Sequence, residues 1–327
     1  MTAERAAGRR DGARRLAPGP GLRRLQLSVT RRLDGLLNGE HLGLLPGPGT
    51  ELAEARVYQP GEDDVRHMDW AVTARTTTPH VRDLVADHEL EAWALIDLTA
   101  SMDFGTADLL KRDLAAAALA AVGFLTVRLG DRVGAYLHTA DGLRRWPART
   151  GRPALYSLLQ TVLDTPAAPA GPEGAGVGLA AAVTALARGQ TRRGLRVVIS
   201  DFLPADGDDP EHPPWEHPLR RLAARHQVLA VEILDPRELD LPDLGPLTLT
   251  DPETGHTHEI TVDRRTRARY ADAAARQRAA TRTALRRAGA HHLVLRTDRD
   301  WIADLARFAL RQRRAAGRAI AAPGARP

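Results

Sequence analysis

The chain has 327 residues, of which 43% are hydrophobic, so it can bury the core of one large α/β domain with a smaller part appended. It contains no cysteine, which excludes disulfide bonds, thiolate metal sites and a cysteine nucleophile. The longest apolar run, 114–125, is shorter than the roughly 20 residues of a membrane span, and the amino terminus has no apolar segment typical of a signal peptide. We therefore expect a soluble, cytoplasmic protein with no membrane span.

The formal net charge of +5 is concentrated in the two ends of the chain. Residues 1–32 hold nine arginines against two acidic residues, and 311–327 hold five arginines and no acid, which leaves −7 for 33–310. We predict a basic segment over 1–35 that is disordered over 1–21, a short helix over 22–37, and a second basic tail over 311–327. Solvated ends are favoured over tails that bind nucleic acid or anionic lipid, so no specific nucleic-acid partner is predicted.

Residues 36–90 are predicted to form an extended arm in which acidic residues and arginines alternate. Two roles are open for these charges. They clamp the arm onto the main domain, which is favoured because dense ion pairs more often fix geometry than bind, or they form a surface for a partner. The residues singled out for either role are Gly61, Asp63, Asp64, Arg66, Asp69, Trp70, Arg75 and Arg82.

Residues 91–310 are predicted to form an α/β domain, because strands alternate with helices from residue 92 onward. This alternation favours a mostly parallel sheet with helices on both faces. The predicted strands are a buried strand that runs to Asp97, then 131–139, 142–146, 195–200, 227–234, the hairpin 247–262 and 291–296. The predicted helices are 107–129 with Thr106 as its cap, 153–163, 177–188, 218–226, 264–288 and 298–314.

The first candidate site follows the first buried strand of this domain. The apolar run ends at Asp97, and Thr99 and Ser101 follow on alternate positions before a helix. A carboxylate and two hydroxyls form an oxygen-only ligand set, which suits Mg²⁺ or Mn²⁺ better than zinc. The alternative is that Asp97 caps the strand and accepts hydrogen bonds from loop amides, with Thr99 and Ser101 as ordinary turn residues.

A second apolar strand, 195–200, repeats the pattern and ends at Asp201. Ligands of open α/β sheets bind beyond the carboxyl ends of the strands, where loops meet. If the two strands are neighbours, Asp97 and Asp201 converge on one pocket. The predicted metal ligands are therefore Asp97, Thr99, Ser101 and Asp201.

The alternative function is a metal-dependent hydrolase or phosphoryl-transfer enzyme that uses Asp97 and Asp201. Aspartyl-phosphate chemistry needs an aspartate where Thr99 stands, and the only lysine, Lys111, is not preceded by the glycine of a phosphate-binding loop. The sequence also has no Gly-x-Ser-x-Gly elbow and no recognisable nucleophile–base pair. We therefore predict that the protein is not an enzyme.

Several of these motifs together resemble one known family. They are Tyr58-Gln59-Pro60-Gly61, Asp63-Asp64-Val65-Arg66, Met68-Asp69-Trp70, the stretch Asp97 to Gly105, Lys111, Gly130-Asp131-Arg132-Val133-Gly134, Ser200-Asp201-Phe202 and the turn Asp251 to Gly255. The chain resembles the bacterial domain-of-unknown-function family 58 (DUF58), which is similar to a branch of the von Willebrand factor type A (vWA) proteins. The resemblance covers most of 35–310.

The resemblance implies a Rossmann-like, vWA-like sheet that carries a metal-ion-dependent adhesion site (MIDAS). In such a site a partner carboxylate completes the shell of a magnesium ion. Asp97, Thr99 and Ser101 match its first loop, and Asp201 is similar to its third-loop aspartate. The second loop departs from the family, because Val177-Gly178-Leu179 stands where a threonine is common.

The resemblance also implies the partners. Family members resemble partners of MoxR-class AAA-type ATPases, and the pair is expected to form a chaperone-like assembly that matures a client protein. We therefore expect a non-enzymatic interaction module that captures a protein partner through an adhesion site whose second loop is degenerate.

Overall fold

The structure is a computed structural model. It describes residues 31–32, 55–59, 68, 70–82, 91–128, 131–168, 177–189, 193–205, 207–242, 245–250 and 257–321. The strands are β1 Ala55–Val57, β2 His80–Arg82, β3 Glu91–Asp97, β4 Arg132–Thr139, β5 Gly142–Arg149, β6 Leu195–Ser200, β7 Gln227–Leu234, β8 Gly245–Thr250, β9 Thr257–Val262 and β10 His291–Arg296. The helices are α1 Trp70–Thr76, α2 Lys111–Arg128, α3 Arg152–Asp164, α4 Leu179–Arg188, α5 Glu216–Ala223, α6 Arg264–Arg287 and α7 Trp301–Ala321, with short 3-10 turns at Ala100–Asp103 and Pro236–Glu238.

Six strands form the central sheet in the order β10-β7-β6-β3-β4-β5. Five of them are parallel, and β5 pairs with β4 in the antiparallel direction at one edge. Each connection between consecutive parallel strands contains at least one helix. The connection from β4 to β6 contains β5, which forms a hairpin with β4, and then α3 and α4. The chain therefore has the predicted Rossmann-like α/β fold with a mostly parallel sheet.

Both faces of the sheet are covered, which explains the unbroken apolar runs of the central strands. Ala94 and Ile96 of β3 pack with α2, α3 and α7 on one face. Trp93 and Leu95 point the other way and pack with α4, α5 and α6. β3 is buried on both faces and lies at the centre of the core. Full burial of each leucine or isoleucine side chain contributes about 1.5–3 kcal/mol to stability.

Helix α2 lies close to the sheet and to α3 because alanines line it. A Cβ atom on Gly123 would come within 2.4 Å of Leu155 Cδ1, so a larger residue fits at this contact only if the Leu155 side chain moves. The predicted turn between β4 and β5 is confirmed, with Gly142 at a φ of +117°. Strand β5 runs to Arg149, three residues beyond the prediction.

Two helix starts differ from the prediction for the same reason. Helix α2 begins at Lys111 rather than 107, because Thr106 does not cap it and bonds instead to Asp235, a residue in another loop. Helix α4 begins at Leu179 rather than 177, where the carbonyl of Val177 is bound by His138. In both places a long-range hydrogen bond holds the loop out of the helix.

Two other helices also differ in extent. Helix α5 spans Glu216–Ala223 rather than 218–226. Helix α7 starts after Asp300, whose side chain accepts a hydrogen bond from Ala303 N, and it continues to Ala321.

Two small antiparallel pairs accompany the main sheet. β1 pairs with β2, and β8 pairs with β9, which is the predicted hairpin. Its turn, 251–256, lies outside the described residues, as does most of the helix predicted over 22–37, of which residues 31 and 32 are described and are helical. Within the part of the chain that the structure describes, no helix is long and apolar enough to cross a membrane.

Candidate functional site at the carboxyl edge of the sheet

The candidate site lies at the carboxyl edge of the sheet, which we define as the ends of β3, β6, β7 and β10 with the loops that follow them. β3 and β6 are parallel neighbours, with Ile96 opposite Ile199. Asp97 is the last residue of β3 and Asp201 follows the last residue of β6, so both lie at this edge. Both side chains are buried, with exposed fractions of 4% and 5%.

Asp97 is held by hydrogen-bond donors from two segments of the chain. Its Oδ1 accepts hydrogen bonds from Thr99 N at 3.1 Å and Thr99 Oγ1 at 2.7 Å. Its Oδ2 accepts one from Ser200 Oγ at 2.7 Å, which ties the end of β3 to the end of β6. Burial raises the pKa of Asp97, but the nearby His138 and these hydrogen bonds outweigh it and leave the pKa below its usual value.

His138 at the end of β4 connects Asp97 to the loop before α4. Its Nδ1 lies 3.4 Å from Asp97 Oδ1, and its Nε2 donates to the carbonyl oxygen of Val177. Burial lowers the pKa of His138, and the attraction of Asp97 outweighs burial, so the pKa is raised. The second loop of the predicted adhesion site is thus hydrogen-bonded to a histidine that lies beside Asp97.

The third group at this edge is a buried ion cluster, which we call the Lys111 cluster and define as Lys111, Asp201 and Glu238. The Lys111 side chain is fully buried, and its Nζ donates to Asp201 Oδ2 at 2.7 Å and to Glu238 Oε1. Burial lowers the pKa of Lys111, but the two carboxylates outweigh it and raise the pKa above its ordinary value. Asp201 Oδ1 accepts from Leu203 N at 3.2 Å.

Asp235, at the end of β7, joins the remaining loops of this edge. Its carboxylate is fully buried and accepts hydrogen bonds from Thr106 N and Thr106 Oγ1, from Arg237 N and from Thr297 Oγ1, at 2.6–2.9 Å. Its backbone N–H donates to Glu238 Oε2 at 2.9 Å. The loops after β3, β6, β7 and β10 are therefore linked by one network of buried hydrogen bonds and ion pairs.

The residues predicted to bind Mg²⁺ or Mn²⁺ are gathered at this edge, but they fit a divalent ion poorly. Ser101 lies in the 3-10 turn and is buried, with an exposed fraction of 6%. Both oxygens of Asp97 and both of Asp201 already accept hydrogen bonds from the protein, and the Thr99 hydroxyl is directed at Asp97. The ammonium of Lys111 on Asp201 would repel a cation bound there.

The described residues of the second loop, 177 and 178, bring no side-chain oxygen to the edge. Val177 presents its carbonyl to His138, and Gly178 is the N-cap of α4 without a side-chain bond. Within the part of this edge that the structure describes, a metal ion would depend on Thr99 and Ser101 with water, so the magnesium site stays a prediction.

The arm is described only in part. Gly61, Asp63, Asp64, Arg66 and Asp69 lie outside the described residues, and Arg82 is described only as the last residue of β2. Trp70 begins α1 and is 70% exposed, and Arg75 is exposed near the end of the same helix. Whether the arm clamps the domain or binds a partner stays a prediction.

The family of the chain follows from a match over 54–280 to the family described as "Protein of unknown function DUF58". The chain belongs to the DUF58 family. Uncharacterized protein Rv1480 of Mycobacterium tuberculosis and Uncharacterized protein Mb1516 of Mycobacterium bovis are each 52% identical to this DUF58 chain over 295 residues. The alignments cover 90% of this chain and 90% of each relative.

Two solved structures show a distant likeness to this DUF58 chain. The conserved hypothetical protein BatB from Bacteroides thetaiotaomicron has a TM-score of 0.37 at 12% identity, and an aerotolerance-related membrane protein from Bacteroides fragilis has 0.39 at 14%. Each covers 69% of this chain and 99% of the other. Because both scores are below 0.5, these likenesses carry no argument about function.

No role at this site was predicted from sequence for several residues of the DUF58 chain that link the loops of the site. They are Lys111, His138, Ser200, Asp235 and Glu238. One signal was available, because Lys111 is the single lysine among 46 basic residues. The others carry no local signal, since their partners lie in distant segments of the chain.

Proposed function

We propose that this DUF58 protein is a non-enzymatic, vWA-like interaction module that captures a protein partner at the carboxyl edge of its sheet. We propose further that it works with a MoxR-class AAA-type ATPase in a chaperone-like assembly acting on a client protein. One observation carries the proposal. Two loops of this edge and the neighbouring loop before α4 each expose an apolar side chain: Phe104 is 39%, Leu203 44% and Val177 40% exposed.

The backbone of each exposed residue is tied to the buried polar network. The carbonyl of Phe104 accepts a hydrogen bond from Lys111 N at 2.9 Å, and Leu203 N donates to Asp201. The carbonyl of Val177 accepts from His138. Apolar side chains on loops held in this way lose little conformational entropy on binding, which favours a preformed protein-binding surface.

Burial of the carboxylates supports a non-enzymatic role. Asp97 and Asp201, which a hydrolase or phosphoryl-transfer enzyme would use, are 4% and 5% exposed, and Ser200 is 1% exposed. Each of these side chains is hydrogen-bonded within the protein. A substrate in solution would have to displace these internal bonds before it reached a reactive oxygen.

The decisive experiment measures the affinity of the purified protein for a purified MoxR-class ATPase. In the double variant Phe104→Ser with Leu203→Ser, we expect the Kd to rise at least about tenfold, because apolar anchors at the centre of an interface each contribute about 1–2 kcal/mol or more. Both side chains are partly exposed, so the fold and thermal stability should change little.

The matched control is the double variant Val57→Ser with Trp70→Ser, which removes exposed apolar side chains from the arm. We expect it to bind the ATPase like the wild-type protein. A loss of affinity in this control alone would assign capture to the arm, and equal affinity in all three proteins would refute the role of the carboxyl edge.

A further inference from the structure

We infer that the ammonium group of Lys111 replaces the metal ion at the carboxyl edge, so that this edge is assembled by an internal cation. The inference rests on the proposed function, because it concerns the same edge that would capture the partner. It differs from the expectation of a bound magnesium ion, and it is tested without any partner.

The position of the Lys111 Nζ atom is the first argument. Lys111 belongs to the first turn of α2, and it reaches the loop after β6 through Asp201 and the 3-10 turn after β7 through Glu238. A single positive charge thus bridges three segments that follow three different strands. This is the structural role that a divalent ion would otherwise have at a cluster of carboxylates.

The internal donors on the carboxylate oxygens are the second argument. Both oxygens of Asp201 and both oxygens of Glu238 accept hydrogen bonds from within the protein. Both oxygens of Asp97 do so as well. Each carboxylate oxygen has more than one lone pair, but at every one of these oxygens a metal ion would compete with the ammonium, hydroxyl or backbone donor that is already bound.

The chemistry of the residue is the third argument. The other 45 basic residues of the chain are arginines, and the one lysine occupies the fully buried position between two carboxylates. A lysine ammonium is a compact point charge with three donors, whereas a guanidinium is a wide planar fork. The buried position between the two carboxylates is thus filled by the more compact of the two cationic side chains, the one that resembles a metal ion more closely.

The first test is titration of the wild-type protein with MgCl₂ and with MnCl₂ at millimolar concentrations, followed by calorimetry and by thermal unfolding. We expect no saturable heat and no rise in Tm with either ion. Saturable binding of magnesium to the wild-type protein that disappears in Asp201→Asn would overturn the inference.

A second test uses the fact that Lys111 carries the only side-chain amine of the chain. An amine-acylating ester should modify the α-amine of the native protein and leave Lys111 unmodified, because its side chain is fully buried and its ammonium is held protonated. We expect the same peptide map by mass spectrometry with and without magnesium. Acylation of Lys111 that increases with magnesium would show that the ion displaces the ammonium.

A variant supplies the converse result. In Lys111→Met, Asp201 and Glu238 are left without their cation, and we expect Mn²⁺ to raise the Tm of this variant although it does not raise that of the wild-type protein. The matched control is Arg112→Met on the same helix, whose partner is Asp103 at 2.7 Å, and it should show no response to Mn²⁺. If Lys111→Met does not fold, the wild-type titrations alone decide.

The inference and the proposed function fail independently. Ion binding and acylation are measured on the protein alone, whereas capture is measured through Phe104 and Leu203. A protein that binds no ion and also captures no ATPase would retain the lysine inference and lose the proposed function.

Discussion

The two ends of the parallel sheet bury charge in opposite ways. At the carboxyl edge the buried groups are mainly carboxylates, and their donors are backbone N–H groups, hydroxyls and one ammonium. At the amino edge the buried group is the guanidinium of Arg196, whose Nη1 donates to the backbone carbonyls of Glu91 and Leu195. Burial lowers the pKa of Arg196 to about 10 in spite of the nearby Glu91 carboxylate.

His226 shows the consequence at the amino edge. It is buried just before β7, and burial together with the charges of Arg196, Arg225 and Arg193 lowers its pKa to about 4. At the carboxyl edge the opposite happens to His138, whose pKa is raised. The same residue type is thus neutral at one end of the sheet and favours its charged form at the other.

The difference follows from the direction of the chain in a parallel α/β sheet. Loops at the carboxyl ends of strands lead into helix N-termini, which offer free N–H groups to carboxylates. The amino ends of the strands follow helix C-termini, where free carbonyl groups and negative dipole ends suit cations. The comparison predicts a graded response to mutation, with the largest effects at the carboxyl edge.

The largest expected effect is that of Lys111→Met. Removing one partner of a buried ion pair leaves uncompensated buried carboxylates, so the free energy of unfolding should fall by about 3–5 kcal/mol. Urea denaturation at pH 7 measures it. The control Arg307→Met removes an arginine that is 62% exposed, and it should change stability by less than about 0.5 kcal/mol. Similar losses of unfolding free energy in Lys111→Met and Arg307→Met would contradict a special role of the Lys111 cluster.

The next effect is that of Asp235→Asn. The amide nitrogen would face donors that now bond to a carboxylate oxygen, and we expect a loss of about 2–3 kcal/mol, measured by the same denaturation. Asp240→Asn is the matched control, because Asp240 is 58% exposed and its contact with Arg267 is 3.5 Å. An unchanged stability in Asp235→Asn would mean that the loops of this edge are held by packing alone.

At the amino edge we expect a smaller loss from Arg196→Met, about 1–2 kcal/mol, because its Nη1 atom donates to neutral carbonyls. The same variant removes a positive charge that depresses the pKa of His226. Proton NMR titration of the His226 ring should therefore show a higher pKa in Arg196→Met than in the wild-type protein. If the pKa of His226 is the same in both proteins, the charge of Arg196 does not affect His226.

The effect of His226 is the smallest at pH 7 and grows only as the pH falls. Above its unfolded-state pKa of roughly 6.5 the histidine is neutral in both states. As the pH falls towards 4, the unfolded state takes up a proton that the folded state does not, so stability should fall by at most about 1.4 kcal/mol per pH unit. His226→Gln should remove this part of the pH dependence. If the free energy of unfolding depends on pH in the same way in the wild-type protein and in His226→Gln, the role of His226 is refuted.

Much of the fold could be predicted because the signals for it are local. The apolar runs that end at Asp97 and Ser200 mark strands buried on both faces, and their alternation with helices predicts parallel pairing. The hairpin turn before Gly142 is also encoded locally. Helix starts were less predictable, since Thr106 is a good cap residue that is bound by an aspartate 129 positions away.

The candidate site also has a part that local sequence signals predicted and a part that depends on distant residues. The pattern of oxygen-bearing residues at Asp97, Thr99 and Ser101 predicted where polar chemistry would lie, and the strand order places Asp201 at the same edge. The partners of Lys111 could not be read from the pattern, because they are 90 and 127 positions away in sequence. Nothing local distinguishes a buried lysine in a helix from an exposed one.

By itself, the sequence determined the fold class, the sheet-edge position of the aspartates and, through the DUF58 motifs, the family. Each of these depends on periodicity or on short spacing, which neighbouring residues in the chain impose. Only the tertiary structure decided which cation meets the carboxylates and how the loops are linked. Those contacts form between segments that the sheet order brings together, and the free energy of a buried charge depends on all of its neighbours at once.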